Sequence, residues 1–89
     1  MVKITFPPKE DWDKKREVVT FLAVVDGKQI ICAISKEALG DSFNLSHENP
    51  LSVFRKNRHV IEQVAEKLIV AKHYEVNGSI LIKNPDLLK

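Results

Sequence analysis

The chain has 89 residues, 44% hydrophobic and 29% charged, with a formal net charge of +2. That length holds one domain, residues 1–89, with a modest core, and excludes a core plus a deep catalytic cleft. The single cysteine excludes an internal disulfide, and no apolar run approaches the roughly 18 residues that span a bilayer.

The start alternates. Val2, Ile4 and Phe6 point one way and Lys3 and Thr5 the other, which predicts a half-buried strand. Pro7-Pro8 ends it, because proline has no N–H for a ladder. Lys9 to Arg16 is polar except for Trp12, and reads as a loop whose tryptophan folds back onto the core. Glu17 to Ser35 predicts a hairpin. Val18 to Val25 is β-branched and aromatic, Asp26-Gly27 suits a type I′ turn, and Gln29 to Ile34 returns. Val18–Val25 is apolar on both faces, which predicts a central strand covered on both sides.

Ser35 is placed to cap a short helix from Lys36 to about Phe43, with Glu37 in the first turn. Asn44 to Glu48 reads as a loop. Asn49 caps a long helix that starts at Pro50 and runs to about Lys72. Its apolar stripe holds Phe54, Val60, Ile61, Val64, Ala65, Leu68 and Ala71. Asn77-Gly78 then turns, and Ser79 to Lys83 predicts a last strand. Leu87 and Leu88 are placed to pin the terminus to the core. The expected fold is α+β: a mostly antiparallel four- to five-stranded sheet with one long and one short helix. The long helix covers one sheet face, and the short helix, Trp12 and Leu45 cover part of the other. An apolar patch left bare there would predict self-association or a protein partner.

The string ITFP, then Trp12, then VDG at the hairpin turn, CAIS leading into KEAL, and Phe54, Asn57, Arg58 and Ile61 on the long helix resemble the domain of unknown function 1488 family. The resemblance spans nearly the whole chain. It implies a compact α+β domain of a short bacterial, cytoplasmic protein with no assigned activity. A cytoplasmic location also fits the N-terminus, MVKITFPPKEDW, which lacks the apolar core of a signal peptide.

Candidate chemistry is sparse. Arg55, Lys56, Arg58 and His59 cluster early on the long helix and form the candidate contact for a partner or for nucleic-acid phosphates. A solvated helix face is the plainer reading, since Glu62 and Glu66 dilute the field and no aromatic is placed to stack on bases. Asn57 falls near the centre of the apolar stripe. A buried amide costs about 1 kcal/mol or more unless bonded. It reads as a polar anchor to loop or sheet-edge backbone, or as a pocket residue beside Arg58.

His59 and Glu62 lack a third ligand at recognisable spacing, so no metal is expected. Cys32 reads as a small buried hydrophobe. The glycines Gly27, Gly40 and Gly78 are too scattered for a phosphate loop. No enzyme, cofactor or membrane contact is expected. Two classes remain: a non-enzymatic protein-interaction or accessory module, or a weak nucleic-acid-binding or regulatory protein using the basic start of the long helix.

Overall fold

The computed structural model describes residues 3–43 and 49–83. The described elements run β1 (Ile4–Thr5), β2 (Glu10–Asp13), β3 (Val18–Val25), β4 (Lys28–Ser35), α1 (Lys36–Phe43), α2 (Pro50–Lys56), α3 (Arg58–Val70) and β5 (Ile80–Ile82). The β3–β4 hairpin is the spine. Its register runs from Val25 opposite Lys28 to Val18 opposite Ser35. Asp26 and Gly27 close it with φ of 50° and 87°, the left-handed pair that a type I′ turn requires.

β1 and β2 both pair antiparallel with the far side of β3. Lys9–Arg16 is therefore not simply a loop, because Glu10–Asp13 is a strand. Glu10 faces Phe21 and Trp12 faces Val19. Charged residues around a lone tryptophan had hidden its alternation. Asp13 Oδ1 accepts from the N–H groups of Lys15 and Arg16 and shapes the turn that follows. Together β1 and β2 form one interrupted edge. Thr5 faces Val24 and Glu10 faces Phe21, so residues 6–9 span only positions 22–23 of β3. Pro7-Pro8 forces the bulge by withholding two ladder donors.

On the other side, β5 pairs parallel with β4, Cys32 facing Ile80 and Ile34 facing Ile82. A parallel partner needs a crossover, and α1 to α3 supply it. The sheet is mostly antiparallel, with this one parallel pair. Helix caps follow the sequence. Ser35 Oγ accepts from the Ala38 N–H at 3.0 Å, and Asn49 Oδ1 from the Leu51 N–H at 2.8 Å.

The predicted long helix is two helices. It breaks at Asn57, whose backbone lies at φ −116°, ψ 16°. The Asn57 N–H is shared between the Val53 and Phe54 carbonyls, and its Nδ2 donates to Val53 O at 2.9 Å. A short amide competing for a carbonyl of the preceding turn interrupts the ladder. The break changes the apolar phase. Val53 and Phe54 both become buried, while α3 buries Ile61, Ala65 and Ile69. Val60 and Ala71, expected on the stripe, are exposed.

One core results. Phe54 is fully buried, 5.1 Å from the Phe21 ring, with Phe6 on the far side of Phe21 at 6.2 Å. Ala38 and Leu39 of α1, Ile61 and Ala65 of α3, and Ile80 and Ile82 of β5 join the same cluster, and Trp12 packs against it. α1 and Trp12 thus share the face that α2 and α3 cover, rather than covering the opposite one. Leu45, Leu87 and Leu88 lie outside the described residues.

α3 ends in a Schellman motif. The His73 N–H reaches Leu68 O at 2.9 Å and the Lys72 N–H reaches Ile69 O at 3.0 Å. Lys72 holds φ 60°, a conformation that suits glycine and strains a side chain. Lys72→Gly is expected to stabilise the chain by about 0.5–1 kcal/mol and raise the thermal midpoint by a few degrees. An unchanged or lower midpoint in calorimetry would contradict this account of the helix end.

Candidate interaction surface

Two surfaces stand out: a charged junction on the helical side of the sheet and a bare apolar face on the other. The junction forms where the helix break meets the interrupted edge. Arg58 begins α3 and turns inward. Its Nη2 donates to Pro7 O at 2.7 Å, its Nε to Glu62 Oε2 at 2.6 Å, and its Nη1 to Glu10 Oε1. Its guanidinium carbon sits 5.4 Å from the Phe54 ring centre, within cation–π range. Arg55 Nε reaches the other Glu10 oxygen at 3.0 Å.

Two cations and two carboxylates therefore offset one another, and all three guanidinium nitrogens of Arg58 are engaged. The side chains of Arg58, Glu10 and Glu62 are only 21%, 16% and 18% exposed. Charge-assisted bonds so shielded from water outweigh ordinary surface pairs. The structure splits the predicted basic cluster. Arg55 and Arg58 converge on Glu10, while Lys56 and His59 are exposed. Glu10 went unrecognised because β2 did. Its one sequence signal was the two-residue spacing to Trp12.

Asn57 is half-buried and serves as an anchor, but to its own helix rather than to loop or sheet-edge backbone. Cys32 is buried, and desolvation pushes its thiol up to about 12. It stays protonated at neutral pH and is no nucleophile. Among the described residues, no group of three or more His, Cys, Asp or Glu side chains is placed to hold a metal.

The second surface is the sheet face opposite the helices. Registers place Thr5 and Val24, Leu22 and Ile31, and Asp11, Thr20, Ala33 and Leu81 on it. Ile31 is 52% exposed in mid-strand. Leu22, Val24 and Leu81 are half-buried. Val18 and Ala33, nearer the β2–β3 turn, are buried. Two hollows flank Ile31. One, of about 460 Å³, is lined by Pro8, Lys9, Asp11, Thr20 and Leu22. The other, of about 270 Å³, is lined by Arg16, Gln29, Ala33 and Ser79. No described helix packs on this face.

The architecture defines a small α+β domain with a one-sided core and a broken edge strand. The family model described as "Protein of unknown function (DUF1488)" matches residues 4–82. The chain is 43% identical over 76 residues to the uncharacterized protein YrdB of Escherichia coli (strain K12), covering 84% of this chain and 89% of that one. It is 42% identical to the YrdB of Shigella flexneri over the same shares. A crystal structure of a DUF1488 protein of unknown function from Shewanella loihica PV-4 superposes with a TM-score of 0.78 at 32% identity, covering 89% of this chain and 90% of that one. The chain belongs to the DUF1488 family, as its motifs implied. No helix among the described residues is long and apolar enough to cross a membrane.

Arg58→Ala is expected to lower stability by about 2–4 kcal/mol, since it takes a partly buried partner from Glu62, leaves Glu10 with Arg55 alone and strips Phe54 of its cation. Arg58→Lys should recover less than half, because an ammonium cannot fill the planar fork. Chemical denaturation of both variants checks this, and full rescue by lysine would refute the fork geometry. Cys32 should resist iodoacetamide in the native state and react on unfolding, as followed by mass spectrometry. Rapid native labelling would contradict its burial.

Proposed function

We propose that this protein is a non-enzymatic interaction module of the bacterial cytoplasm that docks a protein partner on the uncovered sheet face. The observation that supports this most is the exposure of Ile31 beside Leu22, Val24 and Leu81 on a face that no described helix covers. Water is displaced from such a surface at a gain of roughly 25 cal/mol per Å² of apolar area. Contiguous apolar patches on small domains mark interaction sites more often than isolated exposed residues do.

The alternative is nucleic-acid contact through Arg55, Lys56, Arg58 and His59. Geometry favours it less. Phosphate binding by Arg58 would have to displace Glu10, Glu62 and the Pro7 carbonyl. The two arginines also already meet two carboxylates, Glu62 of α3 and Glu10 of β2.

Photo-crosslinking in cells separates the two. A photoreactive residue at position 31 is expected to yield protein adducts, and one at position 59 none to nucleic acid. Nuclease-sensitive adducts from position 59, with none from position 31, would reverse the assignment. Binding of random duplex DNA is expected to be absent at about 50 mM salt, where electrostatic binding is strong.

A further inference from the structure

We propose that Asn77 is a self-modification site, whose side-chain amide is attacked by the Gly78 nitrogen and converts, through a cyclic imide, to aspartate and isoaspartate. Asn77 is the one asparagine of the chain followed by glycine, and both residues are exposed. Gly78 stands at φ 86°, with nothing within 4 Å of where a Cβ would lie, so no side chain shields its nitrogen. The fold adds two donors. Asn77 Oδ1 accepts from the Ser79 N–H at 3.0 Å and from the Ser79 hydroxyl at 2.6 Å. These bonds fold the amide back over the Gly78 peptide. They also draw electron density from Cγ and sit where negative charge gathers on Oδ1 as the nitrogen adds. Asn57, by contrast, precedes the bulky Arg58, and its Nδ2 is bonded to Val53 O.

The step needs only water. The Gly78 nitrogen gives its proton to solvent base and bonds to Asn77 Cγ. The Cγ–Nδ2 bond breaks, and Nδ2 leaves as ammonia with a proton from solvent. Water then opens the imide at one carbonyl or the other, to aspartate or to isoaspartate. The nitrogen's proton is held at first by Glu75 O at 2.8 Å, so its loss to base limits the rate and conversion quickens as pH rises. The imide lacks that N–H, and isoaspartate adds a carbon to the main chain. Either change loosens the turn that the Glu75 N–H closes on Ser79 O at 2.7 Å, just before buried Ile80 opens β5. The turn also lines the hollow of about 270 Å³ beside Ile31, so the new carboxylate enters the uncovered face near Arg16. The chemistry stands whether or not that face binds a protein.

Peptide mapping of the full chain, held for days at neutral and at mildly alkaline pH, tests this. Asn77 is expected to convert before any other asparagine, and faster at the higher pH. Ser79→Ala should slow it about two- to tenfold, the worth of one exposed hydrogen bond, and Ser79→Thr, which keeps the hydroxyl, should restore it. Circular dichroism checks that both variants keep the wild-type fold. Asn77 left intact, or converting after another asparagine, overturns the proposal, as does a rate independent of pH. Ser79→Ala converting at the wild-type rate also overturns it, by removing the hydroxyl from the reaction. The isoaspartate form, separated by ion exchange, is expected to melt a few degrees below Asn77→Asp, which carries the same charge on an ordinary main chain. Equal midpoints would overturn the link to β5.

Discussion

The register between β3 and β4, fixed by the left-handed pair Asp26 and Gly27, sets the position of everything else in the molecule. Side chains alternate across a strand, so a one-residue slip would carry Phe21, Cys32 and Ile34 out of the core and put Leu22 and Ile31 into it. The hairpin turn prevents this slip. With the register held, one face presents Val19, Phe21, Ala23, Cys32 and Ile34 to the helices. β5 then has one place to pair, beside Cys32–Ile34, and the crossover through α1 to α3 must return there. The helices land on a single face because the apolar stripes of α2 and α3 and the apolar side of α1 all find the same floor.

The broken edge and the broken helix are matched. Pro7-Pro8 pushes residues 6–9 out of the ladder, and the Pro7 carbonyl is left to the Lys9 N–H and to Arg58. Asn57 interrupts the helix and sends Arg58 toward that carbonyl. Glu10 resumes the edge in time to bind the same guanidinium. The Pro7 carbonyl, which also accepts the Lys9 N–H at 2.7 Å, and the carboxylates at this partly buried junction meet all three nitrogens of one planar fork. This explains why a cluster that looks like a cationic ridge along the chain is largely self-neutralised in the fold. It also explains why Arg58 packs over Phe54, the centre of the core, rather than facing solvent.

Much of the fold was legible along the chain. The hairpin, the caps at Ser35 and Asn49, the extent of α1 and the last strand all follow from local rules of turn chemistry, capping and alternation. The α+β class and the membership suggested by ITFP, Trp12 and the Phe54–Ile61 segment followed too. Two elements were not legible. β2 carries one apolar residue among three acids, and only its pairing to β3 makes it a strand. The break at Asn57 was masked by good helix formers on both sides, because a single amide bonded to Val53 decides it. Misplacing β2 also misplaced Glu10, and with it the main partner of the basic cluster.

The sequence by itself determined the β3–β4 hairpin, the helix starts and most of the buried stretches, because period, turns and caps are local properties that each stretch carries alone. It marked Arg55, Lys56, Arg58, His59 and Asn57 as the polar residues to watch. Only the tertiary structure decided what they do. Whether a cation is free or spent depends on what a distant strand brings within about 3 Å of it. Likewise, the apolar pattern of β3 asked for cover on both sides, and only the placement of the helices decided that Leu22 and Ile31 would lack it. Layer assignment depends on the path of the connections, which no single segment encodes.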